Sequence, residues 1–293
     1  MKASILFLFL FTSVLSAQEA IKHKFIACRF SQGKVSIVDE AGKVEWTCKV
    51  GRMVQDAWML KNGNILASHA MGVKEISPDK KVVWEYKSPK GVELHSAQPI
   101  EDNKVLVVEC GTSRLMEIER GTGKICKELK LTAKGGIHTQ FRTARKTNKG
   151  TYVIAYLEES RAVELDSDGK VIKDFICAKI RKSAHGCLRL PNGNTLVTTA
   201  RSGEVLEFDS DGKIVWSIRK NEIPEGIKSN YLGGIQRLAN GNTIIGCYHG
   251  TPQYYEVTPA KKVVWKYHNP EFGNIVSLTV LTTNGKAEKN PVR

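Results

Sequence analysis

The chain has 293 residues, 41% hydrophobic and 25% charged, which suits a folded protein and excludes both a disordered chain and a multispanning membrane protein. Lys and Arg number 44 against 30 Asp and Glu, a formal charge of +14. No phosphate-binding GxxxxGK[ST] loop, GxGxxG fingerprint, HExxH or GxSxG is present, so the common nucleotide, zinc-protease and serine-hydrolase signatures are excluded.

Residues 1–17 open with Met1-Lys2, continue through an apolar run from Ile5 to Val14 and leave through Leu15-Ser16-Ala17. A charged start, a short apolar run and a small-residue exit predict a secretory signal peptide, because about twenty apolar residues are needed to span a bilayer. Gln18 stands where a lipoprotein signal needs Cys. The expected product is periplasmic or secreted, monomeric and without a transmembrane segment, at 276 residues and +13. Seven cysteines remain, none in a CxxC pair, and they are expected to be small buried residues rather than a disulfide framework.

From residue 42 onward the chain repeats itself. A Gly-Lys or Lys-Lys pair followed by apolar residues recurs with its second member at 43, 81, 124, 170, 213 and 262. Glu75, Glu117, Glu164, Glu207 and Glu256 keep the same beat, and Asn-Gly-Asn stands at 62–64, 192–194 and 240–242. Each unit divides into four short strands: Gly186 to Leu190, a turn at Asn192-Gly193, Thr195 to Thr199, Val205 to Asp209, a turn at Asp211-Gly212, and Lys213 to Trp216. Four-stranded units of about 40–45 residues predict propeller blades. The expected fold is all-β, a six-bladed β-propeller over 18–284 with a polar tail at 285–293. The first unit starts at what looks like a second strand, Lys24 to Arg29, so the segment from Asn274 to Leu281 is expected to complete blade one and close the ring. Trp46, Trp84, Trp216 and Trp265 fall on outer strands as packing residues.

The Gly-Lys-x-x-Trp ending, as in Gly212 to Trp216, resembles the tryptophan-docking repeats of pyrroloquinoline-quinone-type propellers. The longer run Leu190-x-Asn-Gly-Asn-x-Leu196, then Val205-x-Glu-x-Asp-x-Asp-Gly-Lys-x-Val-Trp216, resembles the blades of bacterial arylsulfotransferase-type proteins. The second resemblance implies six blades with histidines and arginines at the channel. The quinone enzymes carry eight blades, a vicinal cysteine pair and an acidic calcium site, which this sequence lacks, so a quinone cofactor is not expected.

Propeller ligands commonly sit at the channel mouth, at the start of the inner strands. Counting ten residues back from each second strand marks Gln55, His95 and His185, and allowing four inserted residues in blade four adds His138. Three histidines at one position permit three readings: loop-bonding structural residues, ligand-binding or acid–base groups, or a divalent-metal site. The second strands end near Glu109 and Tyr156 on the same face, with Arg114, Arg161 and Arg201 just beyond as candidate oxyanion contacts. Loops entering the inner strands (49–55, 87–95, 132–138, 179–185, 219–231 and 266–274) hold twelve basic side chains against four acidic ones. A one-signed rim concentrates anions. The expected function is binding of an anionic ligand at the channel mouth, an acidic or sulfated glycan, a sulfate or phosphate ester or another anionic small molecule, or an acidic protein segment; nucleic acid is set aside for an exported protein. The alternative is a propeller lyase, hydrolase or sulfotransferase-like enzyme using His95, His138 and His185, around a divalent metal or without one.

Overall fold

A computed structural model describes residues 20–101, 103–223, 225–228 and 231–288. The expected signal peptide, 1–17, lies outside the described residues, as does the end of the polar tail. Six antiparallel sheets form the blades of a β-propeller, and among the described residues the only helices are three short 3-10 turns. No helix among the described residues is long and apolar enough to cross a membrane.

Burial explains the strand sequences. Second strands such as Ile65–His69, Tyr152–Tyr156 and Thr195–Thr199 are buried along their whole length because neighbouring blades cover both faces. Outer strands such as Val82–Lys87 and Ile125–Lys130 are largely exposed. The Asn-Gly-Asn turns work as the sequence implies: Gly63, Gly193 and Gly241 take positive φ, and the first Asn side chain accepts from the backbone of the third residue. Asp166 and Asp209 each cap their own turn through two backbone N–H groups. Trp46 and Trp216 donate to Pro78 and Pro259 carbonyls in the following blade, at 2.8 and 2.7 Å. All seven cysteines are free thiols, five of them buried.

The recurring glutamates are latches between blades. Glu75 meets Arg120 (2.7 Å), Glu117 meets Lys146 (2.7 Å), Glu207 meets Arg237 (2.8 Å), and Glu164 meets Arg189. In each case the cation comes from the next blade. The fifth, Glu256, receives the His23 ring (2.7 Å) and the Asn242 amide (2.6 Å) and ties blade six to blade one. Blade one has Ile37 opposite Trp46, where blades two, five and six have glutamate opposite their tryptophans.

Closure follows the expected route. Leu278–Thr283 pairs with His23–Arg29 in the register Phe25↔Val280, Ile26↔Thr279, Ala27↔Leu278, becoming the inner strand of blade one. A two-residue strand, Lys286–Ala287, adds to its channel side at Thr282 and Thr283. Blade six approaches this strand through Gly234, whose N–H donates to Val276 (2.8 Å); a Cβ there would lie 2.3 Å from the Ser277 Cβ. Glu256→Ala orphans buried His23 and Asn242 groups and is expected to lower stability by about 3 kcal/mol, whereas Glu45→Ala, at a half-exposed pair with Lys24, costs less than about 1 kcal/mol. Denaturant midpoints check this, and equal midpoints for the two variants would refute the latch.

Candidate functional site

All six loops that enter the inner strands emerge on one face, and there the inner strands of blades three to six are irregular at their start. The register skips two residues between Leu94 and Ala97, Phe141 and Ala144, Ala184 and Cys187, and Leu232 and Ile235. These bulges present His95-Ser96, Arg142-Thr143, His185-Gly186 and Gly233-Gly234 to the channel mouth. Gln55-Asp56 and Val276-Ser277 take the same place in blades two and one. Bulges re-aim side chains in this way at functional ends of sheets.

Arg142 therefore takes the blade-four position expected for His138. The hairpin from Lys146 to Tyr152 spans five intervening residues, as does that from Arg189 to Thr195, so blade four holds no inserted residues there. His138 lies before the strand, half-exposed, on the loop that follows blade three.

Below the bulges the channel is plugged. Asp56 accepts from Arg145 (2.9 Å), Arg145 also donates to Ser96 (2.8 Å), and the Thr279 hydroxyl donates to the Ala57 carbonyl (2.6 Å). A cavity of about 20 Å³ remains beside Gln55, His95 and His185, room for one water. The mouth is thus a cup with a closed floor.

Two features define the cup. Arg142 is buried, at 5% exposure, yet among the described residues it donates one hydrogen bond, to the Phe141 carbonyl (2.8 Å), and forms no ion pair. Burial, reinforced by the Arg142 charge, pushes the His95 ring down to about 3 and the His185 ring well below the ordinary histidine range, so both stand neutral. His185 Nδ1 is buried without a hydrogen-bond partner. On one side an aromatic arc runs from His185 through Tyr231 and Tyr248 to Phe30, with ring centroids 5.7, 5.5 and 5.2 Å apart. On the other, the Glu93 carboxylate accepts from His138 Nδ1 (2.7 Å), and His95 stands edge to face with His138 at 5.3 Å. His95 and His138, beside Glu93, hold the Glu93 carboxyl at about 2.

The structure brings together Gln55, His95 and His138, with His185 across the cup, and separates the rest. Gln55 contacts His95 Nδ1 directly. Glu109 is fully buried and receives Tyr86, Thr112 and Arg114, each at 2.6 Å. Arg161 is held by Glu159 and Asp174 over the ring of Tyr156, whose hydroxyl burial pushes up to about 12. Glu109, Arg114 and Arg161 thus have partners of their own within the fold. Arg201 is exposed on the rim and has no ion pair among the described residues. Of the rim cations, Arg181 and Lys182 face Glu158, while Arg52, Lys90 and Lys179 meet no carboxylate among the described residues.

The sequence reading missed Arg142, Glu93 and the aromatic arc. Counting ten back from Tyr152 without a gap gives Arg142, and Glu93 lies two residues before His95, hence on the same side of a strand. The arc has no local signal. A larger groove of about 1240 Å³ opens on the opposite face between blades two and four, where Glu75–Arg120 and Glu117–Lys146 are already paired.

Comparison with solved structures shows the same fold. A protein of unknown function from Bacteroides caccae superposes with a TM-score of 0.79 at 22% identity, over 93% of this chain and 99% of that one. A streptogramin B lyase gives 0.63 at 13% identity over 84% and 80%. A catalytically inactive virginiamycin B lyase from Staphylococcus aureus, solved with quinupristin, gives 0.61 at 13% over 82% and 78%. No curated protein matches the sequence. The family match lies with neither the quinone enzymes nor the arylsulfotransferases. It runs over residues 16–245, and on its strength the chain belongs to the Mal s 1 allergenic protein-like family.

Proposed function

We propose that this protein is an exported binding module that holds an oxyanion in the cup at the bulged mouth, with Arg142 as its anchor. The observation that carries the reading is a buried guanidinium that no carboxylate of the described residues neutralises. Leaving a buried charge unpaired is costly, and a bound anion offsets that cost. The neutral rings of His95 and His185 can donate or accept without competing for the anion's charge. Tyr231, Tyr248 and Phe30 favour a ligand with a flat or ring-shaped body beside its anionic group, such as an acidic or sulfated sugar or an aryl ester, over an acidic peptide. The blade resemblance to arylsulfotransferase-type repeats makes sulfate esters the first class to test.

A second reading has its own observation: His138 is exposed and its Nδ1 is held by the Glu93 carboxylate (2.7 Å), the arrangement of an oriented acid–base group. The similar lyase propellers make elimination the chemistry to screen. One experiment serves both readings: titration with sulfated, uronic and matched neutral glycans at several salt concentrations, with product analysis of each mixture. Affinity for the anionic members alone, falling as salt rises, is the expected result. Equal affinity for the neutral glycans would overturn the oxyanion reading, and a new unsaturated or desulfated product would make the protein an enzyme.

A further inference from the structure

We propose that Glu93, His95 and His138 form a binding site for a divalent ion of the zinc class. Glu93 and His95 alternate on the inner strand of blade three, Glu93–Ile100, and so project to the same side. His138 reaches them from the loop before Phe141–Lys146 in blade four. One donor atom from each residue lies within 4.8 Å of the other two.

The state of His95 points to a ligand. Its side chain is fully buried, one ring nitrogen is held by the Gln55 amide, and the other, Nε2, has no hydrogen-bond partner. That nitrogen faces Glu93 Oε2 at 3.4 Å. The Gln55 amide nitrogen stands on Nδ1; with that amide turned end for end, its oxygen accepts from Nδ1–H and the Nε2 lone pair faces the ionised carboxylate. In that tautomer a cation between the two atoms takes the place of the ring proton. The spacing matches it: two donors on a tetrahedral ion with bonds of about 2.0–2.1 Å stand roughly 3.4 Å apart. A ligating imidazole whose second nitrogen is held by a side-chain amide has the outer support such sites require. His138 is on an exposed loop and can adjust its ring. The donor set, two imidazoles and one carboxylate, suits zinc or cobalt rather than calcium or magnesium, and it leaves a coordination position open.

His185 is outside this group, so the ligand set differs from a three-histidine site. The open position would share the cup with Arg142, giving an oxyanion two positive centres; only this last step rests on the proposed function.

The test is cobalt(II) titration of untagged, chelator-treated full-length protein in the absence of any anionic ligand, followed by displacement with zinc. The expected result is one equivalent of cobalt with visible absorption bands of four- or five-coordinate geometry. Glu93→Gln and His138→Ala each weaken affinity at least about tenfold, while His185→Ala leaves it unchanged. His138 is half-exposed, so its variant should keep the wild-type melting curve, which circular dichroism checks. Absence of bound cobalt and zinc, or an equal loss in His185→Ala, overturns the site. Oxyanion binding by the metal-free protein is measured separately, so failure of one reading leaves the other standing.

Discussion

Arg142→Met is expected to cost a factor of about 100 or more in oxyanion affinity while leaving the unliganded protein as stable as before, or more stable. Truncating one member of a buried, hydrogen-bonded charge pair costs about 2–5 kcal/mol of binding, and 2.7 kcal/mol is about a hundredfold. The opposite sign on stability follows from the lack of a partner. An unneutralised guanidinium bears a desolvation cost that an apolar side chain of similar length removes. Arg145, three residues along the same strand, supplies the contrast. It pairs with buried Asp56 at 2.9 Å and lies over the Trp58 ring, so Arg145→Met strands a carboxylate and is expected to destabilise by about 3–5 kcal/mol. Calorimetric titration and thermal melts on both variants check the pair. If Arg142→Met melts as low as Arg145→Met and still binds, Arg142 is a structural residue.

Acid should destabilise the fold through buried histidines. Burial holds His69 at about 4 and His185 well below the ordinary range. Lys74 also lowers His69 while Glu85 opposes it weakly; Arg142 and His95 act on His185 in the same direction as burial. In the unfolded chain both rings titrate near about 6.5. Below that pH the unfolded chain takes up protons that the folded chain refuses, so stability is intact above about pH 6.5 and falls as pH drops towards the folded values. Each ring should cost about 2 kcal/mol by about pH 5, and with buried His95, held at about 3, the three together about 6 kcal/mol. Denaturant unfolding at about pH 7.5 and about pH 5 measures the loss, and His185→Phe should remove about a third of it. A midpoint unchanged between those two pH values would contradict the neutral, buried state of these rings.

The error at blade four shows how the sequence can mislead within a fold it specifies well. Position 142 follows from an ungapped count, but a histidine four residues earlier fitted the pattern of His95 and His185. The turn Thr147-Asn-Lys-Gly-Thr151 lacks the Asn-Gly-Asn wording of the others and reads as longer, although it has the same length. Residue type outweighed spacing there, and in a repeat protein spacing is the stronger guide, because hydrogen-bonded register is set by hairpin length. The glutamate marker is the converse case: its period was visible, while its function as an interblade latch was not, since each partner comes from another blade.

Repetition, turn chemistry and strand alternation are local patterns, and they suffice by themselves for six blades, the closing C-terminal strand and a basic set of loops on one face. Which charges remain available is a different matter. Arg114 and Arg161 are the same letter as Arg142 and Arg201, yet the first two are consumed by partners and Arg142 is not. Glu93 meets His138 across 45 positions, and Phe30 meets Tyr248 across the ring closure. Such pairings depend on the curvature that brings blades together, because electrostatic and hydrogen-bond energies fall off within a few ångströms. Only the tertiary structure decides them, and with them the place and chemistry of the cup.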